Sequence, residues 1–472
     1  MSKQNKWKKL KILVEEWSLL STFHCYPKIF QTKNVYGKLL WTFVFILFTC
    51  LTFWLVIKGF LDYLEFDVVT KIRVISQQSL TFPTITICDA SIFTTQKAEN
   101  LLGKAKRLDE NFYLNGGKNS TPSSIRLNIN QLENLVDFVF ANVVFLNDEE
   151  KRGLGFPFEK IIQDCMFNSN GCGQFSWLFS YKWGNCYQFN AMTSPLTTNI
   201  AGRSFGLELY MGPLENTNKY NTFTSRGLRI FMHDGSFLPP SAKEILIESG
   251  KQTNIEIKKT LTYKSPSPHS QCQDLTDFKS NSFDSFKRVQ ASYRQRDCID
   301  FCFQMFILKY CQCMYTLLPI INISTAKSPI LPCLNASQFQ CVDVHFLNLM
   351  ARNKIADECL LECPLECEYT TYDWSMSTLD YPSVQFFNSL KNNSKLYSNF
   401  TLAEYKESHL ILNVYYSNVE YTEIVETPKI SLLDLIANLG GVLGIFLGFS
   451  IFSLLEIVEL IFRVILCYID KL

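Results

Sequence analysis

Histidine is scarce in this chain, with five among 472 residues, and four of them (His233, His269, His345 and His409) fall in one long internal segment. No Gly-x-Ser-x-Gly, His-Glu-x-x-His or Cys-His constellation surrounds them, so an ectoenzyme is not expected and no cofactor is called for. Charge of neither sign prevails: 45 Lys and Arg stand against 44 Asp and Glu, which gives no footing for a nucleic-acid partner. The chain has no low-complexity tract and no internal repeat. It also lacks a small-residue cleavage site behind its first apolar run, which argues against an ordinary signal peptide.

What is present is apolar length at both ends. The run "LLWTFVFILFTCLTFWLVI" (39–57) holds 19 residues without a charge, enough to cross a bilayer, and reads as a retained signal anchor rather than a buried core helix. A second apolar stretch, 430–469, is broken by Asp434, Glu456, Glu459 and Arg463. Two spans put both termini on one side. Lys3, Lys6, Lys8, Lys9, Lys11, Lys28, Lys33 and Lys38 precede the first span and oppose only Glu15 and Glu16, so that side is the cytoplasm. The expected layout is a multi-pass plasma-membrane protein. Residues 1–38 form a cytoplasmic segment, 39–60 a first transmembrane helix, 61–429 an extracellular domain, 430–466 a second transmembrane helix and 467–472 a short tail.

The cysteines agree with that topology. Of 17, Cys25 precedes the first span, Cys50 and Cys467 lie in the spans, and the other 14 lie between them, an even number as an oxidised exterior should have. Five N-x-[ST] sequons, at Asn119, Asn322, Asn335, Asn392 and Asn399, lie only there too. Residues 64–87 have the β-branched enrichment of strands, punctuated by Pro83. "IRLNIN", "FGLELYM", "GLRIFMHD", "TNIEIKKTLTYK" and "HLILNVYYSNVEYTEIVE" also read as strands, and 131–151 as an amphipathic helix, so the external segment is mostly β with helical additions. Between 298 and 367, cysteines at helical spacing suggest two segments stapled as a ladder. The same thiol density would suit zinc, a rival that an exported chain disfavours.

Four stretches in order resemble the degenerin/epithelial sodium channel family, which includes acid-sensing and peptide-gated channels. "FPTITIC" (82–88) is similar to its post-span signature and "CIDFCFQMFILKYCQC" to its mid-ectodomain cysteine segment. "CPLECEYTTYDWSMSTLDYPS" matches its Cys-x-Cys-Tyr to Tyr-Pro-Ser stretch, and "LGGVLGIFLGFSIFSLLEIVE" its pore helix. The resemblance implies an α+β membrane protein with an acid-sensing-channel-like trimeric architecture: two transmembrane helices flank a large disulfide-rich, β-containing ectodomain. It also implies bridges joining Cys88 with Cys186, Cys165 with Cys172, Cys272 with Cys367, Cys298 with Cys363, Cys302 with Cys359, Cys311 with Cys341 and Cys313 with Cys333.

Forty helical residues from 430 to 469 would extend about 60 Å, twice the hydrocarbon core of about 30 Å, so the second helix either projects or is interrupted. Gly440, Gly441, Gly444 and Gly448 mark where interruption or close helix approach is easiest. Asp434, Asn438, Glu456 and Glu459 step by angles that place them along one face of a continuous helix. In a trimer that face becomes rings of negative charge and amide that attract cations. By resemblance, Gly448, Phe449 and Ser450 occupy the selectivity constriction, with Phe where the family has Ala or Ser. In "STFHCYP", His24 matches a gating histidine while Cys25 replaces the family's Gly. Ala437 matches the small position at which bulky residues hold family channels open.

These residues point to a sodium-conducting cation channel subunit in a homo- or hetero-trimer with related subunits, in contact with membrane lipid and gated by an extracellular stimulus. An extracellular peptide or proton ligand is implied by resemblance, although "FDVVTKIRV" after the first span carries no histidine. The runner-up is a non-conducting receptor, adhesion or auxiliary subunit on two anchors. A two-span ATP-gated channel fits the cysteine pattern less well.

Overall fold

The computed structural model describes residues 3–90, 93–101, 141–191, 194–212, 214, 227–235, 242–273, 275, 293–319, 331–334, 336–352, 354–394 and 397–468. The sequons at Asn119, Asn322 and Asn335, the "IRLNIN" strand and most of the 131–151 helix lie outside them. Two units emerge: a membrane unit of residues 1–70, 268–270 and 426–472, and a β unit of 71–267 and 271–425.

In the membrane unit, the first apolar run becomes the helix Val35–Leu64, longer at both ends than the hydropathy suggested. Asn34 starts it by accepting the Tyr36 N–H. Thirty residues at about 1.5 Å each give about 45 Å, and of its side chains only Thr52 is buried. Such an outward apolar surface belongs in lipid, where helical hydrogen bonding satisfies the backbone internally. Two shorter helices precede it, Lys3–Leu20 and Tyr26–Gln31.

The second apolar stretch is two helices, Leu432–Leu447 and Ile451–Tyr468, bent by 70° at the break between them. Among the described residues, Val35–Leu64 alone passes as a single membrane-length apolar helix, and the bent pair passes only when counted as one broken span. The break corrects the expectation that Asp434, Asn438, Glu456 and Glu459 share one face: the angular argument needs a continuous helix. Gly440, Gly441 and Gly444 do not interrupt anything; they lie inside Leu432–Leu447, and only Gly448 stands at the break.

The β unit holds two principal sheets. The seven-stranded one runs in the order Glu368–Asp380, Lys251–Tyr263, Leu410–Pro428, Leu207–Met211, Ile162–Phe167, Asn170–Gly171, with Val68–Ser76 also pairing to Leu410–Pro428. In Lys251–Tyr263, Thr253, Ile255 and Ile257 alternate into the core, the period of two that β-branched residues favour. The five-stranded sheet orders Glu244–Ile247, Leu228–His233, Thr84–Asp89, Gly184–Phe189 and Ser176–Ser180, all antiparallel. One apolar cluster, including Ile85, Ile87, Phe189, Leu209, Ile230, Ile255 and Leu412, draws on both sheets. Within 141–152 the helix stops after Val143, and Asn147 caps a separate helix Asp148–Arg152 through a capping box with Glu150, so 131–151 is not one helix.

Seven disulfides are present, Cys88–Cys186, Cys165–Cys172, Cys272–Cys367, Cys298–Cys363, Cys302–Cys359, Cys311–Cys341 and Cys313–Cys333. Cys88 and Cys186 face each other on paired strands, with Cα atoms 4.3 Å apart. The bridges at 298 and 302 tie helix Gln295–Cys311 to helix Lys354–Glu362 and to Cys363 just beyond its end. Cys311, Cys341 and His345 converge within 4.8 Å, but their two sulfurs are bonded to each other, which removes this cluster as a zinc site.

Candidate functional site: the break in the second apolar helix

Gly448 is where the backbone demands glycine. Its φ of +69° closes helix Leu432–Leu447 in the left-handed conformation, with the Gly448 N–H bonded to the Gly444 carbonyl at 3.0 Å and the Phe449 N–H to that of Leu443 at 3.2 Å. Space forbids a side chain as well. A Cβ at Gly448 would lie 2.6 Å from His24 Cδ2 and 2.9 Å from the Thr22 carbonyl oxygen. Residues 22–24 thus pack against the helix break, and the His24 N–H donates to the Leu447 carbonyl at 2.8 Å.

The next helix begins through its own side chains. Ser450 Oγ accepts the Ser453 N–H at 3.4 Å, and Ser453 Oγ accepts the Ser450 N–H at 3.1 Å. Ser453, fully buried, also lies 2.8 Å from Thr22 Oγ1 and 3.3 Å from the Gly448 carbonyl oxygen. Glu456 Oε2 accepts both the Thr22 N–H (3.1 Å) and the Thr22 hydroxyl (3.2 Å), and its carbonyl accepts the Trp17 indole N–H (3.2 Å). A carboxylate in an apolar helix needs donors, and Thr22 supplies two. Phe449 does not point into empty space: its ring lies 5.8 Å from that of Phe23.

The other carboxylates also have local partners. Asp434 forms a capping box with Ser431, accepting its N–H at 3.0 Å and its hydroxyl at 2.6 Å. Glu459 pairs with Arg463 one turn on, which corrects the picture of a free ring charge there. Ala437 and Asn438 are exposed, and side chains at Gly440 or Gly441 would touch nothing, so within this chain these glycines serve no close helix approach. Cys25 holds φ +66°, a conformation that suits the Gly it replaces, and precedes helix Tyr26–Gln31, whose Tyr26 ring reaches Phe45 at 5.8 Å. Sequence reasoning missed Trp17 altogether, and gave no role to Phe23 or Ser453 within the stretches it quoted. Thr22 lay in the quoted "STFHCYP", but nothing in that string names Glu456 as its partner.

In the β unit, burial decides the state of two histidines. His233, with Nε2 at 2.7 Å from Thr86 Oγ1, and His409, stacked on Tyr405 at 3.8 Å, are each pushed down to about 4 by desolvation. Asp300 is pushed up to about 6 by burial, with Asp297 adding to the effect.

A membrane-length apolar helix, a second apolar helix broken at a left-handed glycine and a disulfide-stapled β unit are the parts of an ion-channel subunit. The chain belongs to the amiloride-sensitive sodium channel family, whose model matches residues 19–460. It is 23% identical over 472 residues to the bile acid-sensitive ion channel of Homo sapiens, covering 95% of this chain and 85% of that one. It is 24% identical over 541 residues to the epithelial sodium channel subunit beta of Bos taurus, covering 94% and 81%. The degenerin-like protein unc-105 of Caenorhabditis elegans is 25% identical over 342 residues, covering 69% of this chain and 37% of that longer protein. A proton-activated chloride channel solved by cryo-EM aligns with a TM-score of 0.35 and 7% identity over 91% of this chain and 100% of that one, a likeness too low to carry an argument.

Proposed function

We propose that this protein is a cation channel subunit that conducts sodium down its gradient across the plasma membrane, assembled as a homo- or hetero-trimer with related subunits. Its termini are cytoplasmic and residues 61–429 extracellular. The observation that carries this reading is the break at Gly448–Ser450. It ends the regular helical bonding inside an otherwise apolar run, where the Leu447 carbonyl turns to the His24 N–H and the Gly448 carbonyl to the Ser453 hydroxyl. The N-terminal segment 22–24 is locked against that break from the cytoplasmic side, which makes it part of the gate; His24 and Glu456 act through this packing. Phe449 is a packing residue, and the pore favours sodium over potassium less sharply than one with a small residue there. Asp434 and Asn438 mark the outer mouth, and Ala437 is the position where added bulk opens the channel.

Expression in oocytes, alone and with related subunits, tests this. External acid, short peptides and amiloride are applied while reversal potentials are read in sodium and potassium. Sodium-selective current from the chain alone supports a homo-trimer, and current only on co-expression a hetero-trimer. A surface-expressed protein that changes no current in either setting refutes conduction and leaves the auxiliary role.

A further inference from the structure

Where the end of strand Leu228–His233 meets the start of strand Glu368–Asp380 and the first turn of helix Gln295–Cys311, the β unit holds a cavity of about 590 Å³. That is the size of a small-molecule site, about 300–1,000 Å³. Bonds already made fix its walls. The buried Glu366 carboxylate accepts the Gln295 N–H at 3.0 Å and an Arg294 N–H at 3.3 Å. Arg294 also donates to the Thr370 carbonyl and lies 4.9 Å from the centre of the Tyr369 ring, which Lys264 approaches at 5.9 Å. Tyr293 gives its hydroxyl proton to the Pro364 carbonyl at 2.7 Å, and its ring lines the cavity with Met232, Ala242 and Leu275.

The charges that line this cavity divide by sign. Each acid is already engaged: Glu366 as above, Asp234 by the Tyr372 hydroxyl and Glu368 by a side-chain hydrogen bond with Tyr263. Two of the cations are not. Arg296 is exposed and has no hydrogen-bond or ion-pair partner among the described residues, although Asp300, one turn along the helix, feels its charge. The Lys243 ammonium, 76% exposed, faces Asp373 at 4.0 Å, itself 62% exposed, a pair worth little in water. An apolar wall with spare cations beside it is a complement to an amphipathic anion.

We propose that this cavity binds a small organic anion, with an aromatic or aliphatic body against Met232, Ala242, Leu275 and Tyr293 and a carboxylate held by Arg296 and Lys243. The planar guanidinium of Arg296 matches a carboxylate with two parallel donors, and Lys243 adds a point charge on a flexible stem. An organic cation fits less well, because the carboxylates that would receive it already hold Arg294, Tyr372 and Tyr263, and the Tyr369 ring already carries Arg294. The site lies wholly within the β unit and stands whether or not the chain conducts.

Fluorine NMR of the purified full chain tests this with three probes that share one ring: para-trifluoromethylbenzoate, the matching benzyl alcohol and the matching benzylammonium ion. The carboxylate should bind saturably with a Kd of about 1 mM, as its size allows, and the neutral alcohol about tenfold more weakly. The ammonium ion should bind no better than the alcohol. Arg296→Gln and Lys243→Gln remove exposed cations and leave the fold intact; each should weaken the carboxylate about threefold to fivefold and leave the alcohol unchanged. Ala242→Phe, which fills the apolar wall, should weaken both. A carboxylate that does not bind, or binds no better than the alcohol, overturns the proposal. So does carboxylate binding that the Arg296→Gln, Lys243→Gln double variant leaves unchanged in the same detergent, which would place the probe elsewhere on the protein or in the micelle. Preference for the ammonium ion would also overturn it and assign the cavity to an organic cation.

Discussion

Adding one methyl group at Gly448 probes the break most directly. In Gly448→Ala the residue must either keep φ +69°, which costs about 1–2 kcal/mol for an L side chain, or unwind the closure of helix Leu432–Leu447. The new Cβ would also overlap His24 Cδ2 at 2.6 Å and the Thr22 carbonyl at 2.9 Å, an overpacking of about 1–3 kcal/mol. Together about 3 kcal/mol should be lost, chiefly by expelling residues 22–24 from the break. Cys25, half-buried beside them, reports this as a rise of about a hundredfold in its labelling by a membrane-permeant maleimide, with Cys50 and Cys467 replaced by Ser. Adding His24→Ala relieves one overlap but neither the φ cost nor the Thr22 contact, so the double variant should recover part of the loss and no more. Labelling at the native rate in Gly448→Ala, with the β unit intact, would refute the packing of the N-terminal segment on Gly448. Full rescue by His24→Ala would refute the backbone argument.

Thr22→Val and Glu456→Gln each weaken the same hydrogen-bonded contact, so their effects on Cys25 labelling should be non-additive by about 1 kcal/mol; strict additivity would mean that the two residues do not meet. Cys25→Gly should relieve the left-handed strain, lowering hydrogen exchange at residues 22–26, whereas Cys25→Ala should not; equal behaviour of the two variants would count against the φ of +66°. For His409 the folded form holds its proton less tightly than the unfolded one, about 4 against 6.5, so its contribution is complete above 6.5 and lost as pH falls toward about 4. That displacement corresponds to about 3 kcal/mol. Asp300, raised to about 6, acts with the opposite sign: its contribution is complete below 3.8 and lost as pH rises through about 6. Both contributions change over the same window, between about 4 and 6.5, with opposite slopes, so across it the stability of the purified protein should rise less with pH in His409→Gln and rise more in Asp300→Asn, and unchanged slopes would remove these groups from the account.

The residues themselves spoke clearly wherever the governing physics is local. An uncharged run of membrane length states its environment without any partner, because lipid responds to composition along the chain. Alternating β-branched residues in 251–263 state their pleat, and Cys298, Cys302, Cys359 and Cys363 share a helical period that suits a ladder. What depends on distant segments could not be read in this way. Fourteen cysteines permit many pairings, and the resemblance to a family, not their spacing, narrowed them; chain folding then decides which sulfurs meet. The one-face alignment of Asp434, Asn438, Glu456 and Glu459 failed because a single left-handed residue redirects everything after it, and periodicity carries no information across such a bend. Thr22 and Glu456 are 434 residues apart, and His269 and Phe66 are 203. Hydrogen bonds at those separations leave no trace in local pattern, because only the tertiary structure decides which donor satisfies a carboxylate that lipid would otherwise reject.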